Sequence, residues 1–405
     1  MTSISNQDEI QEEYDFDKSL GIEKEKESDE DIEEPWKPEQ IRVDPKNLSI
    51  RYVLDMIDDG DLEIAPEFQR RKVWDPIQRS RLIESILLHI PLPAFYFSED
   101  DSGKYRVVDG LQRLSAIYDF VKGGKDQNSF YPLTKLEYLK EELGGKKYDD
   151  LKTTLWARRI SSTQLNINVI APTTPSKVKF NIFKRINTGG TPLNEQEIRH
   201  CMSEQRSREF LKRLTATEVF NKATNEQLRE HTRMFDLELA IRFCAFRFLY
   251  LENSKQLEKI EYISLDGHIT DFIPKVGEFL DETTHKIDFK LTDDQLNQLE
   301  MDFKCAMTNA FRLFGEHAFR KWPSKSKSER LNPINRALFE VCSIVLADYK
   351  WNVIKPHKDE IVRKFREMMT NDDEFIFSIT SATGSITSVR TRYLKVLNIL
   401  TEVEL

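Results

Sequence analysis

Between Ala94 and Val121 the hydrophobic period of the chain changes from that of strands to that of a helix across a single glycine. Ala94–Phe97 is rich in aromatics and reads as a strand. Glu99–Gly103 turns the chain, and Tyr105–Val108 reads as a second strand. Asp109-Gly110 breaks it. From Leu111 to Val121 the period lengthens to that of a helix, with Leu114, Ile117, Tyr118 and Val121 on one face and Gly123-Gly124 closing it. A strand that passes through a glycine turn into a helix aims unpaired N–H groups and the positive end of the helix dipole at that turn. Gly110 lacks a Cβ, so another group can approach the backbone closely. Arg113, in the first turn, can complete an oxyanion or phosphate cradle, while Asp109 can cap the helix or orient Arg113 or a ribose hydroxyl. An ordinary capped turn with Arg113 paired to a carboxylate uses the same residues, and spacing alone leaves both readings open.

Around this junction the pattern stays mixed. Leu62–Phe68 is short and extended, with Pro66 opposing a helix. Ile77–Ile90 carries Leu82, Ile83, Ile86, Leu87 and Ile90 at helical spacing and stops at Pro91. The stretch 128–162 reads as mixed and mostly helical, and Leu165–Ile170 alternates as a strand. Val178–Ile186 and Leu193–Cys201 are helical on either side of Asn187-Thr-Gly-Gly190. Beyond that, nearly every periodic segment is helical, and Phe235–Leu251 is apolar almost all round, as in a central buried helix. The expectation is an α+β domain over residues 41–205 followed by a helical domain over 206–405.

Charge separates a third region. The net charge is −9, but residues 1–40 alone carry −11, so the remaining chain is nearly neutral. Strong self-repulsion and little apolar content make 1–40 read as a solvated, disordered acidic tail. Phe16, Leu20 and Ile22 offer the alternative of a short docking element, and an acidic tail can occupy a basic groove in cis. Cys201, Cys244, Cys305 and Cys342 show no C-x₂₋₄-C zinc spacing, and the histidines form no H-x-x-x-H. They read as reduced thiols of a cytoplasmic protein. No apolar run is long enough to span a membrane, and the start has no signal-peptide pattern.

Several motifs in one order carry a resemblance. Gly110-Leu-Gln-Arg113-Leu-Ser-Ala116 resembles the G-x-x-R-x-x-A element that binds nucleotide phosphates in ParB-type partition proteins and sulfiredoxin. Pro66-Glu-Phe-Gln69-Arg70-Arg71 looks like their upstream box. Phe68-Gln69-Arg70 with Trp74, Asp109-Gly-Leu-Gln-Arg113-Leu, and Arg185-Ile-Asn187-Thr-Gly-Gly190 continuing to Gln196-Glu197-Ile-Arg199 together resemble the N-terminal domain of GmrSD-type restriction systems, over roughly residues 45–205. The resemblance implies a ParB/sulfiredoxin-like fold and a nucleotide site of Gln69, Arg70, Asp109, Gly110, Gln112 and Arg113. Arg185, Asn187 and Gly190 are expected to fold back near it, and Asn187–Gly190 also suits a plain helix C-cap. The same resemblance implies a triphosphate ligand, a magnesium ion on its oxygens, catalytic roles for Asp109 and Arg113, and a part in defence against foreign DNA.

Two departures bear on this. Position 111 is leucine where relatives carry a polar or reactive residue, so water activation there is lost, and Glu67, Glu84 or Asp109 would have to substitute. Residues 201–405 contain no His-Me-finger nuclease core. The expectation is therefore a nucleotide-binding, NTP-hydrolysing component of a prokaryotic restriction or anti-phage system, acting on DNA or through a partner nuclease. The alternatives are a non-hydrolysing sensor or adaptor and a self-contained metal-dependent nickase. For DNA contact, the basic places are Lys325 and Lys327 in a loop and Arg390 and Arg392 opening a terminal helix, with a solvated loop and a helix-end charge as the plainer readings.

Overall fold

The computed structural model describes residues 10–15, 18–25, 42–64, 74–100, 102–123, 130–174, 176–186, 193–252, 262–263, 269–270, 276–324 and 331–403. The chain forms two compact units. One is Glu34–Met202, and the other combines Met1–Glu33 with Ser203–Leu405. The described residues open with a hairpin, β1 (Glu12–Asp15) and β2 (Lys18–Glu23), that belongs to the second unit.

The first unit is built on a five-stranded sheet of β3 (Val43–Ser49), β4 (Leu62–Glu63), β5 (Phe95–Glu99), β6 (Tyr105–Asp109) and β7 (Gln164–Ile170). The order is β3-β7-β5-β6-β4. The β3–β7 and β5–β6 pairs are antiparallel, whereas β5–β7 and β4–β6 are parallel. Pro45 lies in β3, an edge strand, where a missing N–H is tolerated. Alternation assigns the faces. Phe95, Phe97, Val107, Leu165, Ile167 and Val169 join one core with the helices α1 (Ile50–Asp59), α2 (Pro76–Leu87), α3 (Leu111–Lys122) and α4 (Leu155–Ser162). On the other face Val108 and Ile170 pack with Phe183 of α5 (Ser176–Ile186) and Ile198 of α6 (Glu195–Met202).

The helices begin where capping chemistry permits. Ser49 accepts the Tyr52 N–H at the start of α1, and Gly60, at φ 79°, closes it. Ile50, Val53, Leu54 and Ile57 are its buried face; such side chains contribute about 1.5–3 kcal/mol each when fully buried. Asp75 and Gln78 form a reciprocal capping box at α2, with Pro76 at its first position.

The stretch 130–162 is less helical than its composition suggests. It holds one helical turn at Lys140–Leu143, a 3₁₀ turn at Tyr148–Leu151, and α4. The reason lies in α2. Ser80 accepts the Thr134 N–H at 3.0 Å, and buried Glu84 accepts the N–H groups of Glu137, Tyr138 and Leu139 at 2.8–3.0 Å. The backbone there is satisfied by side chains of another element and needs no helix of its own. Glu84 is thereby committed to structure and is not placed to orient a water molecule.

The second unit is helical. Its elements include α7 (Gln205–Thr215), α8 (Glu218–Ala223), α9 (Phe235–Glu252), α10 (Val276–Phe289), α11 (Asp293–Phe314), α12 (Arg336–Leu346), α13 (Lys358–Asn371), α14 (Asp373–Ser378) and α15 (Ile386–Glu402). Most of α9 is buried on all sides, as its composition predicts. The acidic-tail expectation is corrected over residues 10–15 and 18–25. Leu20 and Ile22 are buried, Ile22 bridges to Ile334, and the Glu23 N–H donates to the Ile334 carbonyl at 2.8 Å. Composition overstated self-repulsion because the acids of this segment face arginines far away in sequence. The four cysteines are free thiols, and burial pushes Cys244 and Cys342 up. Among the described residues no helix is long and apolar enough to cross a membrane.

Burial works against ionisation of Glu84, yet its three backbone donors hold its carboxyl below the ordinary glutamate range. Glu84→Gln should lower unfolding free energy at pH 7 by about 2–4 kcal/mol in chemical denaturation. The depressed carboxylate stabilises above its unfolded value of about 4.3, and that contribution is lost as pH falls through the lower folded value. Mutant and wild-type stabilities should accordingly converge in the acid range.

Candidate functional site at the Gly110 turn

β6 ends at Asp109, and α3 begins at Leu111, so the whole turn is Gly110. Its φ of 94° is left-handed, and a Cβ there would lie 2.3 Å from Cδ1 of Phe95. Only glycine fits on both counts. The N-cap residue of the 12-residue helix α3 is Gly110, which offers no side-chain cap to its first N–H groups.

Arg113 is drawn inward. Its Nη1 donates to the Pro93 carbonyl, and its Nη2 donates to the Ala94 carbonyl at 3.1 Å and to Asp109 Oδ2 at 3.0 Å. The guanidinium lies 4.3 Å from the centre of the Phe95 ring. With its side chain 12% exposed, burial pulls its pKa down against the raising effect of Asp109. Arg113 thus fastens the first turn of α3 to the chain entering β5. Sequence reasoning missed Phe95 and the two carbonyls as partners. The Pro91-Leu-Pro93 run, which keeps the chain extended there, was the available signal.

Asp109 is half-buried beside Arg113, Gln112 is half-buried, and Leu111 packs against the main core. Arg185 is exposed in the last turn of α5. Phe183 and Ile198, from the helices flanking the second motif, pack on Val108, one residue before Asp109. Asn194 and Glu197 form a reciprocal cap at the start of α6, with both bonds 2.8 Å. Gln69, Arg70, Glu67, Asn187, Gly190, Lys325 and Lys327 lie outside the described residues. β4 runs parallel to β6, with Leu62 opposite Tyr105 and Glu63 opposite Arg106. Among the described residues no three His, Cys, Asp or Glu side chains converge as a metal site.

The order of strand, glycine turn and arginine-stapled helix, with the second motif's helices packed behind it, coincides with one family model. That model is described as the GmrSD restriction endonuclease, N-terminal domain, and it matches residues 50–203. Residues 50–203 thus resemble this domain family. The GmrSD N-terminal domain implies a role in phage-defence restriction. No curated protein matches the chain.

The expectation of DNA contact by Arg392 is corrected. Its side chain is fully buried in the helical unit, where it bonds Glu340 and the carbonyls of Ser378 and Thr383. It sits on the inner face of α15, whereas the sequence shows only a charge near a helix start. Arg390 is half-buried. Removing one member of a buried ion pair leaves the other charge uncompensated, at a cost of about 3–5 kcal/mol. Arg392→Ala should therefore lower the thermal midpoint of the helical unit sharply, which differential scanning calorimetry would register. A folded, equally stable variant would contradict the pairing.

Proposed function

We propose that the GmrSD N-terminal domain of this chain binds a nucleoside triphosphate at the Gly110 turn and hydrolyses it as part of a prokaryotic restriction system. The observation that carries this reading is the N-terminus of α3, which starts at Gly110 without a side-chain cap and is fastened by Arg113 to the Pro93 and Ala94 carbonyls. Phosphate oxygens suit such a terminus because helix N–H groups point toward it and the dipole favours negative charge. Arg113 acts mainly by positioning, since three of its N–H groups already serve carbonyls and Asp109. Arg70, with its planar fork, then supplies the charge that grips the phosphates, and Gln69, Gln112, Arg185, Asn187 and Gly190 complete the site.

A magnesium ion fits this arrangement as a companion of the nucleotide. It would take its ligands chiefly from phosphate oxygens and water, with Asp109 as the nearby carboxylate. In the hydrolytic reading Asp109 orients the attacking water. Nucleotide occupancy then shifts the domain between states that differ in their engagement of DNA or a partner nuclease.

Leu111 favours a second reading, a non-hydrolysing sensor or adaptor. Its side chain packs against the core, so the position that would carry a water-activating group points elsewhere. Binding of fluorescent ATP, GTP, CTP and UTP with magnesium tests the shared claim. At least one should bind, and Arg70→Ala should weaken it about tenfold or more, the loss of a charged hydrogen bond, with an unchanged thermal midpoint. Arg113→Ala should lose both affinity and stability. Failure of all four nucleotides to bind would remove the proposal. Phosphate release, present or absent, separates the hydrolase from the sensor.

A further inference from the structure

The hairpin of β1 and β2 is held by the helical unit as a ligand would be. β2 meets Ile334 through a single parallel bridge at Ile22, with the Ile334 N–H donating to the Gly21 carbonyl at 2.9 Å and the Glu23 N–H donating back to the Ile334 carbonyl. Leu20 and Ile22 enter the core, and the Leu20 carbonyl lies 3.2 Å from His231 Nε2. Two acids two residues apart are then read by separate basic sets. Glu23 bonds Lys321 Nζ at 2.6 Å and Asn335 Nδ2 at 3.0 Å. Glu25 accepts from Arg242 Nη2 at 3.0 Å and from the Thr383 hydroxyl at 3.1 Å. Arg336 donates to the Glu23 backbone carbonyl at 2.6 Å and to Glu13 at 3.0 Å.

Main-chain pairing with pockets for alternate side chains is how a domain binds an extended peptide by adding it to a strand. The charge balance points the same way. Among the described residues outside the first 25, the acids paired with Arg242, Lys321, Arg336 and Arg392 are Glu238 and Glu340. Without the segment the groove would be basic. Nor does the segment saturate it: among the described residues the buried Nε of Arg242 finds no hydrogen-bond acceptor. Only Leu20 and Ile22 of residues 18–25 are buried apolar side chains, so ion pairs and backbone bonds make up most of the attachment.

We propose that this groove, lined by Arg242, Lys321, Ile334, Asn335 and Arg336, is a binding site for an extended acidic peptide, and that residues 18–25 are its resident, exchangeable occupant. A partner protein would present the same chemistry: two aliphatic residues two positions apart, then two acids with the same spacing. The site is independent of the nucleotide reading.

The test uses the full chain and a fluorescently labelled peptide of sequence Lys-Ser-Leu-Gly-Ile-Glu-Lys-Glu. Anisotropy should show weak binding to the wild type, whose groove is filled. A Glu23→Lys, Glu25→Lys variant, with its own segment loosened, should bind at least about tenfold more tightly. The same peptide carrying two lysines in place of its two C-terminal-half acids should not bind. Equal affinity for both proteins would overturn the proposal. So would displacement of the peptide by a DNA duplex at comparable concentration, which would mark a phosphate groove instead. Native-state hydrogen exchange on the wild type guards against a misfolded variant. The Glu23 and Ile334 amides should exchange together by an opening that leaves α9 and α12 protected. Exchange of these amides only with the core helices would show a fixed segment and end the idea.

Discussion

The contact of Phe95 with Gly110 sets the geometry of the sheet unit. A Cβ at position 110 would collide with the ring, so the chain can turn there only as glycine, with φ at 94°. The tight turn brings the start of α3 against the Phe95 ring, and Arg113 reaches back across the same ring to the Pro93 and Ala94 carbonyls. Asp109 closes the loop by pairing with Arg113 from the last position of β6. Sheet, turn and helix are locked by side chains within five residues of one another in sequence, plus one aromatic from the neighbouring strand. The proposed anion site depends on this fastening, since a helix terminus binds an anion well only if its N–H groups need no reorganisation.

The helical unit depends on a different constraint, the compensation of charges that have left water. Arg336, Arg242 and Arg392 are almost wholly buried, and each persists because carboxylates surround it. Burial opposes the charge on Glu25, yet Arg242 and Arg336 hold its carboxyl below the ordinary range. For Glu340 burial prevails and pushes the carboxyl up in spite of Arg392 and Arg242. Part of the compensation comes from the first 25 residues, so the sheet unit is inserted, in sequence, between two pieces of one helical body. The chain therefore joins the two units twice, once on each side of the sheet unit.

Local pattern exposed much of the sheet unit. The β5–turn–β6–Gly110–α3 run follows from period, aromatics and glycine placement, and the structure reproduces it within a residue or two. β3 and α1 escaped because Val43–Ser49 carries Pro45 and few apolar residues, and its strand character comes from pairing with β7, more than a hundred residues away. The irregular 130–139 segment escaped for a related reason, since its hydrogen bonds go to Ser80 and Glu84. The role of Arg113 was half legible. Its pairing with Asp109 is an i, i+4 relation that sequence offers, but its bonds to Pro93 and Ala94 need the tertiary fold. The docking of residues 18–25 and the burial of Arg392 rest on partners hundreds of residues or a helix face away, which composition does not encode.

The central claim is that the first turn of α3 receives phosphate. Hydrogen exchange of the Leu111, Gln112 and Arg113 amides, with and without a magnesium nucleoside triphosphate at saturating concentration, tests it most directly. The account predicts slowed exchange concentrated at these three amides, with the buried strands unchanged. Protection elsewhere in the sheet unit, with these amides unaffected, would contradict it.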